Sequence, residues 1–311
     1  MKTFTKLVLI TFSLLLMAGG SAFSQTNRDW WNGLSPEWKE FFEGKFMKQS
    51  QRDAKVEMSD GKLETIVKLK VLDCSGNKDI KDLKPLSQLK DLEILDISNT
   101  GISDLSGLRN VPNLKELDCS NSELIEDLSP LKNMKRLEKL NCHNTSVSNL
   151  EPIRYLSLLS LNVSLCFIAD NSLKALEGML SLQKLDISQN ELIRNLGYMH
   201  KLQELSELNC SKSPVENVDS IASLLNLEYL DISSTDVKGI KALIEIKTLL
   251  SIDISDTEIK NIDALYASTG LRNIKAIDLK IDDRTYAEKL KESIKTFNQK
   301  RPDCIIDFSV K

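Results

Sequence analysis

The side chains that could do chemistry in this sequence are its recurring carboxylates and serines, six cysteines and two histidines. A Ser–His–Asp arrangement can be drawn around His143, which stands next to Asn141 and across from Ser120 and Ser164. Because similar serines recur in nearly every segment, we interpret His143 as a surface residue. His200 falls in a turn, and the sequence contains neither a glycine-rich phosphate loop nor a nucleophile elbow. We therefore predict no enzymatic activity.

Carboxylates and carboxamides recur at one position of a repeated pattern. They follow an apolar residue at Asp73, Asp96, Asp118, Asn141, Asn162, Asp186, Asn209, Asp231, Asp253 and Asp278. Serines stand two residues further on from Ser75 to Ser255, with His143 as the exception. On neighbouring strands about 4.8 Å apart these acids would form a stripe. Either serine hydroxyls and turn amides hold the carboxylates, or the stripe attracts a basic peptide surface. Calcium is not predicted, because no compact D-x-D-x-D-G loop is visible.

Four of the cysteines take the inward apolar position of the pattern: Cys74, Cys119, Cys142 and Cys210. There a cysteine behaves as a small hydrophobe. Only Cys119 and Cys142 fall in adjacent copies, where a Cα separation of about 4.8 Å permits a disulfide although parallel side chains make its geometry awkward. Their oxidation state stays open, and Cys166 and Cys304 have no obvious mate. No spacing matches a zinc or thiol-redox motif, so we predict no metal and no cofactor.

The segment 92–100 shows the repeated pattern most clearly. Its inward residue Leu95 has counterparts at 72, 117, 140, 161, 185, 208, 230, 252 and 277, so copies lie 21 to 25 residues apart. Alternation of apolar and polar residues predicts a short strand with Leu95 and Ile97 pointing inward. A small polar residue such as Thr100 follows and can bond to backbone groups in the turn. Asp104 and its equivalents then cap a short helical turn.

This period and the L-x-x-L-x-L-x-x-N/C/T spacing resemble the leucine-rich repeat over about residues 50–280. The tract 80–86 is most similar to the short repeats of bacterial internalins and of eukaryotic phosphatase regulators. The resemblance implies an α/β fold: a right-handed leucine-rich-repeat solenoid with parallel strands on the concave face and short helical or 3-10 turns on the convex face. It also implies a protein partner bound on the concave face. Inward cysteines and the lack of a wall-anchor motif depart from internalins, so host-cell invasion is not carried over.

Each end of such a stack needs a cap, because an open core would meet water. We predict a helical N-terminal cap over residues 25–68, in which Pro36 opens an aromatic-faced helix and residues 56–66 look like a degenerate half-repeat. The aromatic face comprises Trp38, Phe41, Phe42 and Phe46.

About ten repeats then occupy residues 69–280, with an irregular copy over 158–181 where we predict a local kink. A helix–strand C-terminal cap follows over residues 281–311. The apolar face of its helix is predicted to comprise Tyr286, Leu290, Ile294 and Phe297. Residues 304–308 are predicted to add a final strand.

Residues 1–24 have the pattern of a secretory signal peptide, with lysines first, an apolar run and a small-residue cleavage site before Gln25. We predict an exported monomer, periplasmic, surface-located or secreted, with no transmembrane segment after cleavage. Of the 311 residues, 41% are hydrophobic and 28% charged, as in globular proteins. The formal net charge of −4 provides no positive field for nucleic acid.

The residue before each inward leucine varies from copy to copy, so this column is predicted to determine specificity. With acidic neighbours it gives the predicted partner-binding set: Val71, Ile94, Glu116, Asp118, Lys139, His143, Lys184, Asp186, Glu207, Tyr229 and Asp231. Val71 and Ile94 would form an exposed apolar patch unless the N-terminal segment covers them. A cell-surface adhesin or glycan-binding repeat protein is the alternative function, although Tyr229 is the only aromatic residue of the column.

Overall fold

The computed structural model describes residues 25–310 of the chain. Within that range the repeats form one sheet of eleven parallel strands, hydrogen-bonded in sequence order. The strands are β1 Val71–Asp73, β2 Ile94–Asp96, β3 Glu116–Asp118, β4 Lys139–Asn141, β5 Ser160–Asn162, β6 Lys184–Asp186, β7 Glu207–Asn209, β8 Tyr229–Asp231, β9 Ser251–Asp253, β10 Asn273–Leu279 and β11 Ile305–Val310. This is the predicted α/β leucine-rich-repeat solenoid.

Each of the strands β1 to β9 is three residues long and buries its central residue. In β2, Leu95 is buried while the side chain before it is exposed, and Ile97, just past the strand, is buried as well. Because side chains alternate along a strand, this pattern sends two apolar residues per repeat into the interior. The stacked repeats thereby share a single continuous core.

The convex side carries a short 3-10 helix in every repeat between β1 and β10. These helices are Lys84–Gln88, Ser106–Asn110, Ser129–Leu131, Glu151–Ile153, Ser172–Gly178, Gly197–Lys201, Asp219–Ser223, Lys241–Glu245 and Asp263–Ala267. The predicted capping is confirmed for Asp104, whose Oδ1 accepts a 2.7 Å hydrogen bond from the amide of Ser106, the first helical residue. Asn171 is the exception, because its side chain makes no capping hydrogen bond.

A ladder of small polar side chains links the turns after the strands, as the sequence predicts. The hydroxyl of Thr100 donates to the carbonyl oxygen of Ile97 at 2.8 Å, and Ser122 of the next repeat donates to the same oxygen at 3.1 Å. Asn190 Nδ2 likewise donates to the carbonyls of Val163 and Ile187, each at 2.9 Å. Buried turn carbonyls are thus satisfied across repeat boundaries.

The N-terminal cap consists of α1 over residues 25–32, α2 Pro36–Phe46, α3 Gln49–Asp53 and α4 Asp60–Val67. Trp38 is buried and stacks on Phe42, with ring centroids 5.4 Å apart. Its indole Nε1 donates to the carbonyl of Asp82 at 3.1 Å, so the cap is bonded to the first repeat. Ser35 directly precedes α2 but makes no side-chain capping bond. The predicted half-repeat is helical only from Asp60 onward, where α4 buries Leu63 and Ile66, whereas residues 56–59 have no regular secondary structure and Val56 is exposed.

The C-terminal cap is the predicted helix and strand. Helix α5, Arg284–Lys300, begins at Asp283, whose Oδ1 accepts from the amide of Thr285 at 2.7 Å, and β11 extends the sheet beside β10. The prediction that Tyr286 lies on the buried face is wrong. Ala287 takes that place beside Leu290, Ile294 and Phe297, because the helix turns its apolar face one residue further along.

The predicted inward residue of the last repeat, Ile277, is also wrong by three residues. Strand β10 pairs with β9 so that Ile274, not Ile277, lies opposite Ile252. A residue with positive φ stands four positions after the inward residue in every repeat, from Gly76 to Asp278, and 274 fits this rule. Lys275 therefore occupies the position assigned to Asp278, and Ala276, assigned to the variable column, is buried.

The irregular copy leaves the register of the sheet intact. Strand β5 pairs in line with β4 and β6, and the extra length of this repeat lies in the seven-residue 3-10 helix Ser172–Gly178. The predicted signal peptide, residues 1–24, lies outside the described residues. None of the helices between residues 25 and 310 combines the length and apolar character needed to cross a bilayer.

Candidate functional site on the concave face

Two columns of solvent-facing side chains cover the strand side of the solenoid, here called the concave face. The first column precedes the inward residues and comprises Val71, Ile94, Glu116, Lys139, Ser160, Lys184, Glu207, Tyr229, Ser251 and Asn273. The second column follows them and comprises Asp73, Asp96, Asp118, Asn141, Asn162, Asp186, Asn209, Asp231, Asp253 and Lys275. Parallel, in-register pairing sets both columns, since a one-residue slip would turn these side chains inward.

The second column is held by hydrogen bonds within the repeats. Asp118 Oδ1 accepts from the amide of Ser120 at 2.9 Å and from its hydroxyl at 2.6 Å. Asn141 Nδ2 of the next repeat donates to Asp118 Oδ2 at 2.9 Å. Asp186 repeats the arrangement, accepting from Ser188 and from Asn209. The geometry thus agrees with the first interpretation of the acidic stripe, in which serines and turn amides hold the carboxylates.

The pKa values of carboxyl groups in the second column shift in different directions at different places along the face. Hydrogen bonds from the hydroxyl and amide of Ser75 lower the pKa of Asp73. Asp231 accepts the equivalent bonds from Ser233, yet burial raises its pKa, and the negative charge of Asp253 raises it further. The Asp231 carboxylate is therefore ionised at a free-energy cost to the fold, as happens at binding sites.

The charged members of the first column pair with one another across strands. Lys139 Nζ lies 2.8 Å from Glu116 Oε1, and Lys184 Nζ lies 2.6 Å from Glu207 Oε1. These pairs are exposed, so each adds little to stability. The pairing was missed in the sequence, although adjacent copies with opposite charge in one column indicate it. Val71 and Ile94 are exposed side by side, uncovered by residues 25–68.

Five of the predicted site residues converge on one concavity. A cleft of about 440 Å³ lies over strands β5 to β9, here called the concave cleft. Its polar and aromatic lining residues are Ser160, Asn162, Lys184, Asp186, Glu207, Asn209, Tyr229, Asp231, Ser251 and Asp253. The other predicted residues, Val71, Ile94, Glu116, Asp118, Lys139 and His143, lie outside this cleft, on or just after strands β1 to β4. Lys275 was missed through the register error, and its Nζ contacts Asp253 Oδ2 at 3.0 Å.

His143 bonds to Ser164 in a geometry unlike that of a general base. Its Nδ1 lies 2.8 Å from Ser164 Oγ, but that hydroxyl donates its proton to Asn162 Oδ1 at 2.6 Å. The imidazole therefore donates to Ser164, whereas activation of a nucleophile requires it to accept.

All six cysteines are buried free thiols. Cys119 Sγ and Cys142 Sγ are 3.4 Å apart, in hydrogen-bonding contact. Burial raises the pKa of the Cys74 thiol to about 12. Among residues 25–310, no group of three or more His, Cys, Asp or Glu side chains is arranged to hold a metal ion.

Comparison with known proteins places the repeats in a recognised class. A family model described as leucine-rich repeats in two copies matches residues 67–110 and 112–155. No curated protein sequence matches significantly.

Solved structures share the fold at low sequence identity. An internalin from Listeria monocytogenes superposes with a TM-score of 0.60 at 22% identity, over 82% of this chain and 78% of its own. A leucine-rich repeat protein from Leptospira interrogans gives a TM-score of 0.69 at 21% identity, over 79% of this chain and 62% of its own. TLR13, in a complex with ssRNA13, gives 0.59 at 20% identity, over 70% of this chain and 33% of its own. The family match identifies residues 67–110 and 112–155 as leucine-rich repeats, and the solved structures show that the chain shares the fold of the internalin and of other leucine-rich repeat proteins.

Proposed function

We propose that this chain is an exported, non-catalytic module that binds a protein partner at the concave cleft. The observation that carries the proposal is the convergence there of Lys184, Glu207 and Tyr229, from the variable column, with Asp186 and Asp231. The second column of the sheet beneath is already hydrogen-bonded. Binding would therefore order few side chains and lose little conformational entropy.

The chemistry of the cleft favours a partner with basic side chains. Four carboxylates line it, those of Asp186, Glu207, Asp231 and Asp253. Glu207 is paired with Lys184 and Asp253 with Lys275, which leaves Asp186 and Asp231 without a lysine or arginine partner among residues 25–310. Tyr229 offers an aromatic ring that is 45% exposed, suited to contact an aliphatic stem or a cation. Phosphate backbones would be repelled by this face, so the RNA in the TLR13 structure is not carried over to this chain.

Export and the absence of catalysis are parts of the same proposal. Export rests on the signal-peptide pattern of residues 1–24. Absence of catalysis is supported by the direction of the His143–Ser164 hydrogen bond. A monomer is proposed because both ends of the stack are capped, by α2 and α5 with their neighbours.

Affinity capture with matched variants tests the proposal. A protein partner should be retained by the wild-type chain and lost with Tyr229→Ala and with Asp186→Lys. Tyr286→Ala is the control, because Tyr286 is 47% exposed but lies on α5, away from the concave cleft. A partner that survives both concave variants, or that is lost equally with Tyr286→Ala, would contradict binding at this cleft.

The same variants distinguish protein binding from the alternative function, that of an adhesin that binds glycans. Binding on a glycan array that requires Tyr229, without any captured protein, would replace the protein-partner proposal. A single tyrosine in the first column provides less stacking surface than sugar recognition commonly uses, so we place this function second.

A further inference from the structure

The irregular repeat departs from its neighbours at a corner that every repeat makes. Ten residues with positive φ turn the chain after the strands: Gly76, Asn99, Asn121, Asn144, Leu165, Gln189, Lys212, Ser234, Asp256 and Asp278. Nine are glycine or polar, as expected for the left-handed region. Leu165 alone is apolar, at φ 50°, and it is 42% exposed. Leucine is disfavoured here by backbone sterics and by contact with water, so folding does not account for it.

Two further apolar side chains are exposed beside Leu165. Phe167, 63% exposed, stands where the preceding repeat has Ser146 and the following one Glu191. Leu192, 59% exposed, belongs to the next repeat, where it forms a parallel bridge with Ala169. Leu165, Phe167 and Leu192 line one cleft of about 560 Å³, here called the edge cleft. This volume falls within the range of about 300–1,000 Å³ seen for binding pockets.

The rim of the edge cleft is acidic. Glu123 and Glu191 line it and are exposed, and none of the described residues lining it is a lysine or arginine. An apolar floor with carboxylates at its rim is complementary to an apolar side chain flanked by a basic one. The edge cleft shares no lining residue with the concave cleft.

We propose that the edge cleft is a second docking site, which takes a large apolar side chain of a protein segment that carries lysine or arginine close by. Leu165 and Phe167 form the apolar contact, and Glu123 and Glu191 select the basic neighbour. The site does not depend on the function proposed for the concave face.

A displayed library of random decapeptides, panned on the full chain, tests this proposal. Enriched peptides are then synthesised with a fluorophore and titrated against the wild type and a Leu165→Asn/Phe167→Ser variant. That variant installs Asn and Ser, the residues of the preceding repeat at 144 and 146, so the solenoid should still fold. Matching circular dichroism and thermal unfolding check this.

Three results are expected. Enriched peptides carry a residue of leucine or phenylalanine size within a few positions of lysine or arginine. They bind the double variant at least tenfold more weakly, and Tyr229→Ala leaves their affinity unchanged. A Glu123→Gln/Glu191→Gln variant weakens binding severalfold and reduces its dependence on salt.

Other results would overturn the proposal. Equal binding to the double variant would do so, as would peptides that lack apolar residues or a library that yields no enrichment. If the wild type sediments as a dimer and the double variant as a monomer, the occupant is a second copy of the chain. If Tyr229→Ala abolishes peptide binding, the peptides occupy the concave cleft, and the edge cleft alone is rejected.

Discussion

Asp73 and Asp231 occupy equivalent positions of two repeats and accept the same two hydrogen bonds from a serine. The pKa of Asp73 is lowered chiefly by those bonds, whereas burial raises that of Asp231 above its usual 3.8. A carboxyl with a raised folded-state pKa makes the native state bind more protons than the unfolded state. Stability then falls as pH rises through the interval above 3.8, and the loss persists at neutral pH.

Asp231→Asn should therefore raise the melting temperature at neutral pH. The amide keeps both serine bonds, as Asn209 does with Ser211. Well below pH 3.8 wild type and variant should melt together, because both side chains are neutral. Asp73→Asn should act in the opposite direction: its lowered pKa contributes stability above the unfolded value, which is lost as pH falls. Thermal unfolding across pH measures both, and a shift of the same sign in the two variants would refute the explanation.

Leu165 allows a reciprocal test of backbone strain. A left-handed conformation costs a non-glycine residue about 1–2 kcal/mol, and less for asparagine. Leu165→Asn should therefore leave the free energy of unfolding unchanged or raise it by up to about 1 kcal/mol, despite the lost apolar contacts. Asn144→Leu, the reverse change one repeat earlier, should lower it by about 1 kcal/mol. Urea unfolding measures both, and a clear loss of stability in Leu165→Asn would show that packing outweighs strain.

Residue-level expectations succeeded where the repeat imposes one answer. Leu95 and Ile97 are buried and Tyr229 is exposed because alternation along a strand fixes both. The last copy failed, although adding the common 22-residue interval to Ile252 gives Ile274. The raised pKa of Asp231 could not be read from the chain, because it depends on how deeply neighbouring repeats bury an otherwise repeated aspartate.

At the scale of elements, the caps hold the ends of a stack whose middle is uniform. Helix α2 docks through Trp38, which is buried, stacked on Phe42 and bonded to the carbonyl of Asp82. A second indole, that of Trp30, donates to the carbonyl of Pro85 at 3.1 Å. These bonds join the cap to the first convex turn, so the cap and the repeats should unfold together.

Trp38→Ala should lower the free energy of unfolding by about 3–5 kcal/mol, since it leaves a cavity and an unpaired carbonyl. Tyr286→Ala, an exposed aromatic truncation, should change it by less than about 0.5 kcal/mol. Chemical denaturation compares the two. Similar small effects would mean that α2 is not part of the cooperative core.

Strands and convex turns were predictable because each is set by a local pattern of two or three residues. The caps were predictable in type but not in detail: α4 is helical where a half-repeat was expected, and Ala287 replaces Tyr286 on the buried face of α5. The face of a short helix that packs on the stack depends on the neighbouring repeat, and the local sequence of the helix does not determine it.

At the scale of the molecule, each repeat contacts only its neighbours, so stability should be transmitted step by step. Leu290→Ser/Ile294→Ser removes buried contacts between α5 and the last repeat. Amide hydrogen exchange should then speed up in β9 and β10 well before β2 and β3 respond. Lys291→Ser, an exposed change on the same helix, is the control. Equal acceleration at both ends would indicate a single all-or-none unit.

Both clefts are properties of several repeats together. The concave cleft collects two or three residues from each of five strands, and the edge cleft depends on one unusual copy beside ordinary ones. The sequence identified the columns that supply the concave cleft, because variation within a column stands out. It did not show which stretch of the column forms a concavity, since that depends on the sizes of adjacent side chains.

The buried cysteines have a consequence for handling the protein. A thiol whose pKa is raised to about 12, as in Cys74, forms almost no thiolate at neutral pH and is shielded from reagents. Alkylation by iodoacetamide would thus proceed only when a repeat opens, and mass spectrometry of the modified cysteines would time those openings along the chain. In an oxidising compartment the same shielding would protect the thiols of the folded molecule from external oxidants.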